Sequence, residues 1–139
     1  MSKFIIPIGI PGSGKTRYFK IINNPQIILL SGDEERGSIG GCVRHIMIKK
    51  AEMLVKSGIS VYFDSPNITR LGRIEVIEKV KEVNPNCEII GVYFNKPLEV
   101  CLNNNKLRGN TVPEDRIIDM AGHFEKPSID EGFSKIIIK

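Results

Sequence analysis

A glycine-rich octapeptide near the start of the chain constrains the fold more than any other feature. Residues 9–16 read Gly-Ile-Pro-Gly-Ser-Gly-Lys-Thr and match the pattern GxxxxGK[ST] at every fixed position. An apolar run at residues 4–8 precedes the octapeptide, and a helical pattern over about residues 15–22 follows it. A strand, a glycine-rich turn and a helix in this order form the phosphate-binding loop, or P-loop, of proteins that bind nucleoside triphosphates. The octapeptide therefore predicts a nucleotide site.

The residues of this loop have distinct expected roles. The glycines let the backbone curl so that its N–H groups point at phosphate oxygens, and the N-terminus of the following helix adds partial positive charge. We expect Lys15 to reach the β- and γ-phosphates and the Thr16 hydroxyl to ligate Mg²⁺. The predicted nucleotide-binding residues of the loop are Gly9, Gly12, Ser13, Gly14, Lys15 and Thr16.

Short apolar runs alternate with helical patterns along the rest of the chain. The predicted strands lie at residues 4–8, 27–30, 59–63, 88–94 and 136–138. The predicted helices lie at residues 15–22, 39–55, 71–80 and 97–107, with another beginning near residue 113. Strands that are apolar throughout and separated by helices form parallel sheets covered on both faces. We therefore expect an α/β P-loop NTPase fold, with a parallel sheet of about five strands and helices on both faces, in a single domain over residues 1–139.

Composition argues against several classes of protein. No apolar run approaches the ~20 residues that a membrane span needs, and the first residues lack the pattern of a secretory signal. We therefore expect a cytoplasmic protein without membrane contact. Three cysteines (Cys42, Cys87, Cys101) and two histidines (His45, His123) show no metal-ligand spacing, so we expect reduced thiols and no zinc site. The formal net charge of +4 suits a polyanionic substrate, and no protein partner is inferred.

The segment after the second predicted strand carries a candidate catalytic base. Asp33 is the carboxylate nearest the strand end, and ligands of parallel sheets bind at that edge. A carboxylate in this position can take the proton from an acceptor hydroxyl. Arg36, three residues further on, can hold an anionic group of the acceptor. The alternative is an ordinary acidic loop in solvent.

The segment after the third predicted strand carries candidate metal and substrate contacts. Asp64 stands at a position like that of a Walker B carboxylate, so we expect it to orient Mg²⁺ through water or through Thr16. A turn or N-cap aspartate is the alternative. Arg70 and Arg73 follow on the next helix and are candidate substrate contacts, although arginines in such positions more often form a solvated face.

A polar segment at residues 104–113, between two predicted helices, is typical of a lid that closes over phosphates. Arg108 lies within this segment. Its guanidinium can contact the nucleotide and stabilise charge on the transferring phosphoryl group. An ordinary surface arginine is the alternative.

Taken in order, these segments resemble the polynucleotide kinase family of P-loop phosphotransferases. The resemblance extends over nearly the whole chain and rests on GIPGSGKT, GDEER, FDSPNITRLGR, NNKLRGNTVP and FEKPSIDEGF. Members of that family move the γ-phosphate of ATP to the 5′-hydroxyl of DNA or RNA. The resemblance implies that Asp33 is the general base, that Arg36 contacts the 3′-phosphate of the acceptor, and that Arg108 is the second lid arginine. Asn104 stands where the family has the first lid arginine.

The sequence therefore predicts an ATP-dependent kinase with Asp33, Lys15 and Arg108 as catalytic residues and with ATP and Mg²⁺ as cofactors. The expected partner is a nucleic acid with a free 5′-hydroxyl. Two alternatives stay open. In the first, the same fold phosphorylates a hydroxymethylated DNA base, a nucleoside or a small metabolite. In the second, the chain is a nucleotide-binding regulatory ATPase or switch, although the position of Asp33 argues against it.

Overall fold

Strands and helices alternate along residues 2–32 and 43–139, the part of the chain that the computed structural model describes. The strands are β1 (Lys3–Ile8), β2 (Ile27–Ser31), β3 (Ser60–Asp64), β4 (Glu88–Tyr93) and β5 (Lys135–Ile138). The helices are α1 (Lys15–Ile22), α2 (Val43–Lys56), α3 (Arg70–Val83), α4 (Leu98–Leu107) and α5 (Glu114–Gly122), and a 3₁₀ turn lies at Ile129–Glu131. None of the described helices is both long and apolar enough to span a membrane.

The five described strands form one parallel sheet in the order β2-β3-β1-β4-β5. β1 lies at the centre, where Phe4 is opposite Val61 of β3 and Ile89 of β4. Every residue of β1 after Lys3 is buried, because the strand has a neighbour on each side and helices above and below. Burial on both faces explains why β1 is apolar throughout instead of alternating with polar residues. The predicted α/β fold with a parallel sheet is confirmed.

Two apolar cores lie on the two faces of the sheet. On one face, α2 and α3 cover the side chains of Phe4, Ile6 and Ile8. On the other face, α1 packs Phe19 against Tyr62 of β3, with ring centroids 5.2 Å apart. Successive residues of a strand point to opposite faces, so β1 contributes to both cores. The phosphate loop therefore follows the most buried strand of the sheet and leads into α1, which packs on the sheet.

A third apolar cluster joins α4 and α5 to the phosphate loop. Ile10 of the loop packs with Cys101 of α4 and Ile117 of α5, and all three side chains are buried. Burial raises the pKa of the Cys101 thiol, which therefore stays protonated and packs as a small apolar side chain. Because this cluster fixes both helices against the loop, the segment between α4 and α5 stands beside the candidate nucleotide site.

Candidate active site

The phosphate loop connects β1 to α1 through a tight turn that requires glycine. Gly12 has a φ of 88° and Gly14 a φ of 106°, a region that residues with side chains rarely adopt. Gly14 directly precedes α1, so the first helical turn, with its backbone N–H groups, begins at the end of the loop. A β-carbon added at Gly9 would collide with Ser13 Oγ, and one added at Gly12 would collide with the carbonyl oxygen of Cys101. Backbone conformation and close packing together explain the glycines of the motif.

Lys15 lies in the first turn of α1 and is only 8% exposed. Its ammonium group donates a hydrogen bond to the carbonyl oxygen of Ile10 at 3.2 Å, so the side chain folds back across the loop. The carbonyl oxygen of Lys15 accepts a hydrogen bond from the Tyr62 hydroxyl at 2.6 Å. Burial first, and then the Asp64 carboxylate, raise the pKa of Tyr62 and keep the phenol protonated as a donor. A side chain of β3 thus fixes the residue that carries the predicted phosphate contact.

Thr16 and Asp64 bring two oxygen atoms together at the carboxyl ends of β1 and β3. The Thr16 hydroxyl donates to Asp64 Oδ2 at 2.9 Å. Mg²⁺ prefers oxygen ligands and is usually bound through one or two protein groups together with substrate phosphates. A hydroxyl and a carboxylate next to a phosphate loop fit that requirement. Within residues 2–32 and 43–139, no cluster of three or more His, Cys, Asp or Glu side chains offers a different metal site.

The end of β2 lies next to this pair of oxygens. Ser31, the last residue of β2, is in register with Asp64, the last residue of β3. Asp33 and Arg36 follow Ser31 closely in the sequence but lie outside the described residues, so their roles stay predictions. The sheet establishes that the chain leaves β2 at the edge where the phosphate loop and Asp64 meet.

Helix α4 contacts the phosphate loop through a residue that the sequence marks only as a departure from the lid pattern. Asn104 Nδ2 donates to the carbonyl oxygen of Gly12 at 2.9 Å. The buried Asn105 bonds both the carbonyl oxygen and the N–H group of Val112, at 2.7 and 3.3 Å, and thereby closes the turn between α4 and α5. Arg108 caps the C-terminal end of α4, and it is exposed. The structure therefore places Asn104 on the loop and Arg108 one helical turn further, at the surface.

A crevice of about 140 Å³ opens beside the loop on the side of β4. Gly9 and Ile10 form one wall of the crevice, and Tyr93 and Phe124 form part of another. The two aromatic rings stack with centroids 5.6 Å apart and an interplanar angle of 18°. Aromatic walls of this kind suit flat, partly apolar groups. No sequence pattern predicts this crevice, because the residues that line it come from segments far apart in the chain.

Arg70 is held at the surface by an acidic turn of the same chain. Its guanidinium donates to both carboxylate oxygens of Asp130, at 3.1 and 3.0 Å, and to Ser128 Oγ at 2.8 Å. The hydrogen bonds that Asp130 accepts, from Arg70 first and then from the Ser128 hydroxyl, lower the pKa of Asp130 to about 2. An internal carboxylate therefore binds this guanidinium in the structure, and the expected acceptor contact of Arg70 stays a prediction.

Arg73 is completely buried and forms an internal ion pair. Its Nε and Nη2 atoms donate to the Glu131 carboxylate at 2.6 and 3.1 Å, and Nη1 donates to the carbonyl oxygen of Asn67 at 2.9 Å. A side chain without exposed surface cannot reach a substrate, so this geometry does not support the expected substrate contact of Arg73. Part of the FEKPSIDEGF segment instead has a structural role, because it supplies both acidic partners of the two arginines.

Comparison with known proteins gives the same fold. The AAA_33 family, described as an AAA domain, matches residues 4–127. The structure of a fungal RNA kinase is similar with a TM-score of 0.77 at 17% identity, covering 99% of this chain and 74% of that chain. The structure of Chaetomium thermophilum Kti12 in complex with ADP-AlF3 is similar with a TM-score of 0.72 at 14% identity, covering 98% of this chain and 88% of that chain. Identities this low establish the fold alone.

The family match begins in β1 and ends beyond α5, so it includes the phosphate loop, the Thr16–Asp64 pair and the helix that carries Asn104. A phosphate loop and a hydroxyl–carboxylate pair for Mg²⁺ are the features that hold a nucleotide in P-loop proteins. The chain therefore belongs to the AAA_33 family, as a P-loop kinase-like domain that binds a nucleotide.

Proposed function

We propose that this chain is an ATP-dependent kinase that transfers the γ-phosphate of ATP to the 5′-hydroxyl of DNA or RNA. The observation that carries the proposal is the pairing of Ser31 with Asp64, whose carboxylate lies 2.9 Å from the Thr16 hydroxyl. Because of this pairing, β2 ends beside the phosphate loop and the proposed metal-binding pair. Asp33 and Arg36 follow the end of β2 in the sequence. A regulatory ATPase needs the loop and the metal, whereas a kinase also needs a base for the acceptor hydroxyl, which is the role proposed for Asp33.

On the donor side, the backbone N–H groups of the loop and Lys15 bind the β- and γ-phosphates. Thr16 and Asp64 would hold Mg²⁺, which would neutralise negative charge on the phosphate oxygens. Arg108 adds positive charge near the transferring group when the turn between α4 and α5 closes. Asn104 contributes an uncharged contact to the loop, so Lys15 and Arg108 supply most of the protein's positive charge at the donor.

On the acceptor side, Asp33 accepts the proton of the 5′-hydroxyl as its oxygen attacks the γ-phosphorus. The new bond between that oxygen and phosphorus forms as the bond between phosphorus and the β–γ bridging oxygen breaks. ADP leaves, the nucleic acid carries the phosphate, and Asp33 returns its proton to solvent. Arg36 binds a phosphate of the acceptor strand and so favours a polynucleotide over an uncharged alcohol.

Two further observations support a nucleic-acid acceptor. The formal net charge of +4 favours a polyanion, and the similar fungal protein is an RNA kinase. Arg70 and Arg73 are not included in the proposed acceptor site, because Asp130 and Glu131 bind their guanidinium groups.

The test is transfer of label from γ-labelled ATP, with Mg²⁺, to a panel of acceptors. The panel contains 5′-hydroxyl DNA and RNA oligonucleotides, their 5′-phosphorylated counterparts, end-blocked DNA with hydroxymethylated pyrimidines, and free nucleosides. We expect label on the 5′-hydroxyl oligonucleotides only. Label confined to modified bases or nucleosides would move the acceptor, and phosphate release without labelled acceptor would favour the ATPase alternative.

Asp33→Asn tests the proposed base directly. Loss of the proton acceptor should lower the transfer rate by ~10²-fold or more, while ATP binding stays close to that of the wild type. Glu34→Gln, at the neighbouring position, is the matched control and should retain most of the activity. If Asp33→Asn weakens ATP binding as much as it slows transfer, Asp33 contributes to the donor or metal site instead.

A further inference from the structure

The loop that joins β3 to α3, residues 65–69, forms hydrogen bonds to the start of the phosphate loop and to the end of β1. The N–H group of Gly9 donates to the carbonyl oxygen of Pro66 at 3.2 Å. Asn67 Nδ2 donates to the carbonyl oxygen of Pro7, near the end of β1, at 2.8 Å. Both contacts involve the residues that directly follow Asp64. The segment that carries the metal-binding carboxylate is therefore fixed to the strand that carries the phosphate loop.

Asn67 is the centre of this connection. Its side-chain amide also donates to the carbonyl oxygens of Ser65 at 2.9 Å and Phe63 at 3.2 Å, on either side of Asp64. The residue is 4% exposed and has a φ of 51°, a conformation that asparagine tolerates better than most residues. A single buried amide thus binds the backbone before Asp64, the backbone after it and the end of β1.

A rigid support holds Asn67 itself in place. The fully buried Arg73 donates from Nη1 to the Asn67 carbonyl oxygen at 2.9 Å, while Glu131 binds its Nε and Nη2 atoms. On the outer side, Arg44 Nη1 lies 3.4 Å from Asn67 Oδ1. Backbone, amide oxygen and amide nitrogen of Asn67 are therefore all bonded, so the side chain has one orientation.

We propose that Asn67 is a positioning residue for the metal, which sets the Asp64 carboxylate at hydrogen-bonding distance from the Thr16 hydroxyl. The inference rests on the proposed function insofar as it takes these two oxygens as the Mg²⁺-binding pair. Asn67 touches neither oxygen and acts through the backbone on both sides of Asp64. Residues that hydrogen-bond metal ligands directly contribute about 10–100-fold to metal affinity or activity, so we expect an effect at the lower end of that range for Asn67, which acts through the backbone.

The test compares ATP binding with Mg²⁺ and with excess EDTA, by titration calorimetry, in wild type and in Asn67→Gly. Glycine accepts the positive φ of this position and removes the whole side chain with its amide, while the backbone carbonyl that Arg73 binds remains. The measured quantity is the Mg²⁺ enhancement, the ratio of the dissociation constants in EDTA and in Mg²⁺. We expect Asn67→Gly to lower this enhancement about 10-fold or more. ATP binding in EDTA should stay nearly unchanged, because the phosphate loop retains its own contacts.

Asn84→Ala is the matched control. Asn84 Nδ2 also donates to the main body of the fold, to Ser2 Oγ and to the carbonyl oxygen of Val55, both at 3.1 Å. It lies beside the first strand residues, at the amino edge of the sheet and away from the Thr16–Asp64 pair. The control should lower the melting temperature and leave the Mg²⁺ enhancement within about twofold of the wild type.

An equal loss of ATP affinity with and without Mg²⁺ would overturn the inference, as would an unchanged enhancement in a folded Asn67→Gly protein. If that variant does not fold, Asn67→Ser, which keeps one donor, takes its place with the same criterion. In an Asp64→Ala background, Asn67→Gly should cause no further change in the enhancement. If the wild-type protein shows the Mg²⁺ enhancement but transfers label to none of the acceptors, the proposed reaction is rejected and this inference stands.

Discussion

At the scale of the residue, the site depends on side chains that bond to the backbone of a distant segment. Tyr62 binds the carbonyl of Lys15, Asn104 binds that of Gly12, and Asn67 binds that of Pro7. The sequence predicts the phosphate loop and the association of Thr16 with Asp64, because the motif and the strand ends show where they lie. It does not predict the three backbone contacts. A tyrosine within an apolar run, or an asparagine within a polar one, does not indicate which distant backbone group it will bond.

Lys15→Ala should lower the rate of phosphate transfer at least about 100-fold. The ammonium group is nearly buried and bonds a neutral carbonyl in this structure, and a triphosphate offers it anionic oxygens instead. Steady-state kinetics of label transfer measures the effect. Lys20→Ala, in the last turn of the same helix, is the control and should behave as wild type. Near-normal transfer by Lys15→Ala would contradict the assignment of the phosphate site.

Tyr62→Phe should weaken both the fold and the nucleotide site. The variant removes one buried hydrogen bond to the Lys15 carbonyl, so we expect the free energy of unfolding in urea to fall by about 1 kcal/mol. The KM for ATP should rise because the first turn of α1 loses its support. Tyr93→Phe is the control, since its hydroxyl bonds only the exposed Asn95 in the described part of the chain. An unchanged KM with normal stability would show that Tyr62 does not position the helix.

At the scale of the element, the spacing of apolar residues in α3 predicts some of its buried positions correctly and others wrongly. The spacing of Leu71, Ile74, Ile77 and Val80 predicts one inward face; Ile77 and Val80 are buried as expected, and Ile74 is half-buried. Leu71 is 81% exposed, and the buried residue of the first turn is Arg73. The reason is a long-range ion pair, because the 3₁₀ turn brings Glu131 under the helix. A pattern within one helix cannot reveal a partner that lies more than fifty residues away.

Helix α4 and the turn after it give the element-scale prediction. Arg108→Ala should lower the transfer rate by about 100-fold and raise the KM for ATP, because the donor loses a positive charge that the uncharged Asn104 cannot replace. Arg116→Ala, exposed on the neighbouring α5, is the matched control and should retain wild-type kinetics. Equal behaviour of the two variants would identify Arg108 as an ordinary surface arginine.

At the scale of the whole molecule, the sheet order brings residues from separate parts of the chain to one edge. The order β2-β3-β1-β4-β5 and the helices on both faces follow from apolar runs alternating with helical patterns, and the sequence predicts them. The connection between α3 and the segment before β5 does not follow from those patterns. It depends on the buried pair of Arg73 and Glu131, which only the folded chain brings together.

Arg73→Met should therefore destabilise the whole domain by about 3–5 kcal/mol, because Glu131 is left buried without its charged partner. Urea denaturation followed by circular dichroism measures the loss. The double variant Arg73→Met with Glu131→Met removes both charges and should recover most of the stability. A single variant as stable as wild type would mean that the pair is not buried in solution.

The central position of β1 has a consequence for how the protein is made. Of the five described strands β1 leaves the ribosome first, yet its two neighbours, β3 and β4, end only at Asp64 and Tyr93. The nascent chain must therefore hold an apolar strand unpaired until β3 has been made, and with one open edge until β4 has been made, and pairing over such sequence distances is slow. We therefore expect the phosphate loop, which continues directly from β1, to become organised only after that pairing.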